Sequence, residues 1–215
     1  MDATARTKME VLKAQIQAKI SKILAEFAEG KLSREQFHAI YEHYSAQLTM
    51  VDDAITMAET ASSKGHDNDV TLVNGKPGET IAIRHAHMGK AIGLVIYHNK
   101  SGMFVETLGA FDVPPSRIAA TLNDFSLMME TKRLIDRRIE KIGMKQWLMF
   151  AAGKYTTIVT LFHNEPSPQQ SREMERLHYD FEVANEVHLQ GARVDPSKLA
   201  YPFLVFIQQK LKRHE

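Results

Sequence analysis

The 215-residue sequence contains no cysteine. Disulfides, thiol nucleophiles and thiolate metal sites are therefore excluded. A cysteine-free chain fits a reducing compartment. No apolar run reaches the roughly 18 residues that a membrane span needs. An excess of charge of either sign is also lacking. Lys and Arg number 27 against 26 Asp and Glu, so the formal net charge is +1. That removes any global electrostatic case for nucleic acid or an anionic membrane. The opening Met1-Asp2-Ala3-Thr4 is polar and lacks the apolar core of a signal peptide. A cytoplasmic protein without a membrane span and without a nucleic-acid partner is expected.

Catalytic signatures are missing as well. There is no Gly-x-Ser-x-Gly elbow. Gly75-Lys76-Pro77-Gly78 lacks the spacing and the strand-to-helix setting of a phosphate loop. No catalytic residue and no cofactor is assigned, and an enzyme built on scattered carboxylates is the third of three readings. What is present is ordinary globular material: 44% hydrophobic and 25% charged residues. The length suffices for one core, or for a small domain with an appendage.

Met9, Leu12, Ile16, Ile20, Ile23 and Phe27 recur every three or four residues, which predicts a helix over about 4–29. Gly30 should end it, and Ser33-Arg34-Glu35-Gln36 fits a capping box opening a second helix over 34–61. The second helix carries Phe37, Tyr41, Tyr44, Leu48, Val51 and Ile55 at heptad spacing, a seam that wants a partner helix. The short connection makes residues 1–61 an antiparallel hairpin, either packed on the rest of the chain or serving as an oligomerisation arm. Turn-forming residues mark 62–79 as a linker, and 80–215 as the main domain.

Within that domain, Thr80 to His87 is expected to be a short strand. Ala91 to Tyr97 and Met103 to Leu108 are β-prone runs around the turn Asn99-Lys100-Ser101-Gly102. Pro114-Pro115 opens a helix predicted over 117–142. Trp147 to Ala152 and Thr156 to Phe162 read as strands joined at Gly153-Lys154-Tyr155. A last helix is expected over 168–190, with Met174, Leu177, Phe181, Ala184 and His188 as its apolar stripe. The run 203–207 has no readable period. The expectation is an α+β fold: an antiparallel sheet of about five strands flanked by helices, preceded by the helical hairpin.

The order strand-strand-helix-strand-strand-helix resembles the Roadblock/LC7 group, relatives of the longin and profilin-like folds. The residues that carry it are the hairpin Gly93 to Gly102, the acidic, proline-containing loop Asp112 to Ser116 with Ile118-Ala119-Ala120 beyond it, and the Gly153-Lys154-Tyr155 turn. The likeness covers less than half of the chain. Two departures stand out: two clear strands follow the central helix where the group has three, and a long linker separates the preceding helix from the first hairpin. Either 80–87 or 203–207 could complete the sheet. Ile23 to Leu48 also resembles the short oligomerisation modules called SHOCT.

The resemblance implies a non-enzymatic scaffold that forms homo-oligomers, pairing helices or edge strands, and that binds or regulates a small GTPase or another protein. The alternative is a ligand sensor of GAF or PAS type, with a pocket between the sheet and its helices. Candidate partner-binding residues are Arg133, Arg137, Arg138 and Lys141 in the basic stretch, and Glu182 and Glu186 on the last helix. The simpler reading of both is a solvated face. His85 and His87 would share one side of a strand and are the candidate metal ligands, without a third ligand at a telling distance. Glu175-Arg176-Leu177-His178 has the Glu-x-x-His spacing of di-iron bundles, but such a site also needs two further glutamates from other helices, so a wet helix face is expected.

Overall fold

In this computed structural model, residues 3–62, 78–130 and 137–203 are described. Two compact units divide the chain, Met1–Met88 and Gly89–Glu215. The fold is α+β: an N-terminal helix pair, a five-stranded antiparallel sheet and a C-terminal helix packed on that sheet. Most of the expected linker, 63–77, lies outside the described residues.

In the first unit, α1 (Ala3–Ala28) and α2 (Arg34–Ser62) form the expected hairpin. Met9, Ile16 and Ile23, seven residues apart, are buried against Ile40, Tyr44 and Val51. Gly30 turns the chain at φ 74°, a conformation that costs glycine little. The capping box is closed. Gln36 N donates to Ser33 Oγ at 3.2 Å, and Ser33 N donates to Gln36 Oε1 at 3.1 Å. The seam differs in detail from the heptad reading. Tyr44 and Val51 are buried, Phe37, Leu48 and Ile55 are half-buried, and Tyr41 is 40% exposed. Ile40, absent from the heptad seam, is fully buried instead. Tyr41 lies at the flank, stacked on Phe37, which itself stacks on Phe27 at 4.5 Å.

The strand expected at 80–87 is a helix, α3 (Glu79–Ala86), lying against α2. The Ile81–Ile83 alternation misled: Ile83 packs on the hairpin core, whereas Ile81 is exposed. Residues at helical spacing make further contacts. Thr80 Oγ1 meets Tyr44 OH, Arg84 pairs with Glu26, and Arg84 O accepts from Gln36 Nε2 at 3.0 Å. On a helix, positions two apart point in nearly opposite directions. His85, on α3, and His87, its C-cap, therefore do not share a face as a strand would have given them.

The second unit holds β1 (Lys90–His98), β2 (Phe104–Gly109), α4 (Pro115–Glu130), β3 (Arg137–Lys141), β4 (Gln146–Ala152), β5 (Thr156–His163) and α5 (Pro168–Leu189). Strand order is β2-β1-β5-β4-β3, every pair antiparallel. The helix expected over 117–142 is thus corrected. It occupies Pro115–Glu130, and the missing strand is Arg137–Lys141. Ile135, Ile139 and Ile142 are spaced as on a helix, yet Ile139 pairs with Met149 in the ladder. A charged edge strand such as Arg-Arg-Ile-Glu-Lys carries little apolar alternation to reveal it. The sheet therefore closes without 80–87. Of the run 203–207, only Phe203 lies among the described residues; it is helical and packs on Phe181 at 5.6 Å between ring centres.

Both faces of the sheet are covered. Leu148 and Phe150 face Ile118 and Phe125 of α4. Trp147 and Met149 face Met174, Phe181 and Leu189 of α5. Two covered faces explain why β4 is an unbroken apolar run from Trp147 to Ala152, and why Thr156 to Phe162 of β5 are all buried.

Candidate functional site

The site is built where α5 crosses the β4–β5 turn. Ser167 caps α5, its hydroxyl accepting from Gln170 N at 3.2 Å. Gln170 Nε2 donates to Gly89 O at 2.7 Å and fixes the start of the helix beside β1. The buried face is not the predicted stripe. Met174 and Phe181 belong to it, but Ala184 and His188 are exposed. Ser171, His178, Glu182, Asn185 and Leu189 are buried in their place. The wet face expected around His178 and Glu182 is therefore the face turned to the sheet.

That polar burial is matched by hydrogen bonds, as buried polar groups require. Glu182 Oε2 accepts from Lys154 N at 2.8 Å. Its Oε1 accepts from Tyr155 N at 2.8 Å, Thr156 N at 2.7 Å and Thr156 Oγ1 at 2.9 Å. One carboxylate thus holds the whole β4–β5 turn. Gly153 makes room for it: a Cβ there would stand 2.5 Å from the carboxyl carbon. Because the Thr156 hydroxyl donates to Glu182, it accepts from His178 Nε2 at 2.8 Å. Burial lowers the His178 pKa to about 4, while the Glu182 charge works in the opposite direction. The ring is neutral at neutral pH. Thr156 is fully buried and its proton is committed, so no substrate reaches that hydroxyl.

Asn185 extends the polar line. Its Nδ2 donates to Phe181 O at 2.8 Å and Ala200 O at 2.7 Å, and its Oδ1 accepts from Ala200 N at 2.7 Å. Asn185→Ala leaves that segment unanchored and is expected to cost about 2 kcal/mol. Proteolysis should then cut first near Ala200; an unchanged urea midpoint and cleavage pattern would contradict this role.

A cleft of about 450 Å³ opens beside the turn. Gly153, Tyr155 and Tyr179 line it together with Glu175, His178 and Glu186. Glu186 accepts from Tyr155 OH at 2.7 Å and Lys154 Nζ at 3.2 Å, and these bonds hold its pKa below the usual carboxylate value. Lys154 Nζ also sits 4.7 Å from the Tyr155 ring centre.

The other predicted partner residues are scattered. Arg133 lies outside the described residues. Arg137 pairs with Glu175 at 3.1 Å, and Arg138 with Asp124 at 3.2 Å and Glu140 at 2.5 Å. Lys141 Nζ lies 5.3 Å from the Trp147 ring centre. Among the described residues, no three His, Asp or Glu side chains are grouped to hold a metal. No helix among them is long and apolar enough to cross a membrane. The sequence reading missed the clamp because it followed the apolar residues of α5. Ser171, His178 and Asn185, spaced by seven, were the available sign that a polar line shares the buried face. No family model matches the sequence, and no curated protein matches it at a significant level.

Proposed function

We propose that this chain is a non-enzymatic, Roadblock-like scaffold that dimerises and binds or regulates a small GTPase. One observation carries the reading: the antiparallel order β2-β1-β5-β4-β3, with α4 between β2 and β3 and α5 after β5. Strand β3 supplies the third strand after the central helix that the resemblance implies. Among the described residues β3 pairs only with β4, so it is an edge. Antiparallel self-pairing about Ile139 would set Arg138 opposite Glu140 and Arg137 opposite Lys141 of a second copy, each twice over, with Arg137 keeping Glu175 as its counter-ion. Opposite charges across a strand pair stabilise it, and like charges oppose it. The cytoplasm is the compartment that goes with this function. The sensor alternative calls for an enclosed apolar cavity, whereas the cleft beside α5 opens at exposed Tyr179 and Val183 and is lined by three carboxylates as well as by buried Ala151 and His178.

Arg138→Glu is expected to weaken the dimer by roughly tenfold, and Arg138→Glu with Glu140→Arg to restore it. Sedimentation velocity reads both. A parent chain that is monomeric at micromolar concentration overturns the dimer. Immobilised parent chain is further expected to retain a small GTPase in one nucleotide state; equal failure in both states overturns the partner assignment.

A further inference from the structure

The geometry points to the cleft beside α5 as a docking site for an arginine-bearing segment of a partner protein, its guanidinium entering between Tyr155, Tyr179 and Glu175. The first support is an acceptor without a donor. Glu175 Oε2 is taken by Arg137, but Oε1 is buried and has no hydrogen-bond partner. A buried carboxylate oxygen left in that state is costly. The Glu175 side chain lines a cleft of about 450 Å³, within the range of small-group binding sites.

The second support is charge. Glu175, Glu182 and Glu186 line the cleft against Lys154, and Arg137 offsets Glu175, which leaves one negative charge in excess. The third support is a precedent inside the site. Lys154 already uses this chemistry, its ammonium lying over the Tyr155 ring and bonded to Glu186. An incoming cation must therefore use Glu175 and Tyr179. A flat guanidinium can stack on an aromatic ring while directing N–H groups at one carboxylate oxygen, which a compact ammonium cannot do as well.

The fourth support identifies the source as protein. Tyr179, Val183 and Val187 stand 67%, 58% and 83% exposed at successive four-residue steps along α5. This apolar stripe continues from the cleft. A free amine would leave it wet, whereas a partner segment with apolar residues flanking its arginine would cover it. The site lies on α5 and the β4–β5 turn and meets β3 through the Arg137–Glu175 pair; its test reads peptide binding and not the oligomeric state.

The test is an amide NMR titration of the full chain. One set of probes is N-butylguanidinium and its neutral isostere N-butylurea. The other is an amphipathic helical peptide with a single central arginine, and the same peptide with glutamine there. Butylguanidinium, and not butylurea, should shift the amides of residues 153–156 and 175–186. The arginine peptide should bind about tenfold tighter than the glutamine peptide. Glu175→Gln should remove that advantage. Val183→Asp, an exposed substitution that leaves the core intact, should weaken both peptides. Equal affinity of the two peptides, or shifts confined to other surfaces, overturns the proposal. Butylguanidinium binding as tightly as the arginine peptide overturns the protein source.

Discussion

Glu182→Ala is expected to destabilise the unit of residues 89–215 by about 4 kcal/mol, the largest effect of any single polar substitution considered. The reason is the number of donors that depend on one carboxylate. Lys154 N, Tyr155 N, Thr156 N and the Thr156 hydroxyl all lose their acceptor at once. Glu182 is 6% exposed, so water does not readily replace it. Glu182→Gln keeps one acceptor oxygen and should cost about half as much. Gly153→Ala tests the same clamp from the other side, because its methyl group would stand where the carboxylate is. The sequence contains a single tryptophan, Trp147 on β4, so its fluorescence during a urea titration reports this unit. A Glu182→Ala midpoint matching the parent would show that the turn is held by other means.

The second large effect is acid sensitivity. The His178 pKa falls from 6.5 to about 4 on folding. The unfolded chain therefore binds a proton between these values that the folded chain refuses. Stability from the neutral ring is fully present above pH 6.5, and it is lost as pH falls toward 4. The full loss is about 3 kcal/mol, of which about 2 kcal/mol is gone by pH 5. The lowered pKa values of Glu186 and Asp195 also favour the folded chain, but they act below 4.5 and 3.8. The interval from pH 6.5 to 5 thus separates His178 from them. Urea midpoints at pH 7 and pH 5 should differ for the parent chain and converge for His178→Gln. An equal drop in both would place the acid sensitivity elsewhere.

The architecture was legible wherever apolar residues declared a period. The hairpin α1–α2, strands β1, β2, β4 and β5, and the existence of α5 follow from such patterns. Strand β3 was hidden because four of its five residues are charged. Helix α3 was hidden because Ile81 and Ile83 mimic an alternating strand, although the residues that fasten it are Thr80 and Arg84. The buried face of α5 was misplaced for a related reason. Met174 and Phe181 fit two stripes equally, and burial of the polar one is decided by donors on a distant turn. A carboxylate that meets backbone 26 residues away leaves no local mark. The cleft follows from that crossing and was equally invisible. Arg137, Arg138, Glu182 and Glu186, singled out as polar surface, are engaged within the fold by Glu175, Asp124, the turn and Lys154.

The central pairing of β1 with β5 also governs when the sheet can be assembled. The hairpin β1–β2 and the meander β3–β4–β5 are each built from neighbours in sequence. They are joined by one seam, running from Lys90 opposite His163 to His98 opposite Thr156. Asn99 fastens its end, donating to Gly153 O at 3.0 Å and accepting from Thr157 Oγ1 at 2.7 Å. Closing that seam requires the whole intervening chain, and non-local pairings of this kind are slow to form. During synthesis β1 waits with its apolar residues and one open edge until residue 163 has left the ribosome. The interval between the two halves is thus the stage at which a nascent chain of this protein is most exposed to misassociation.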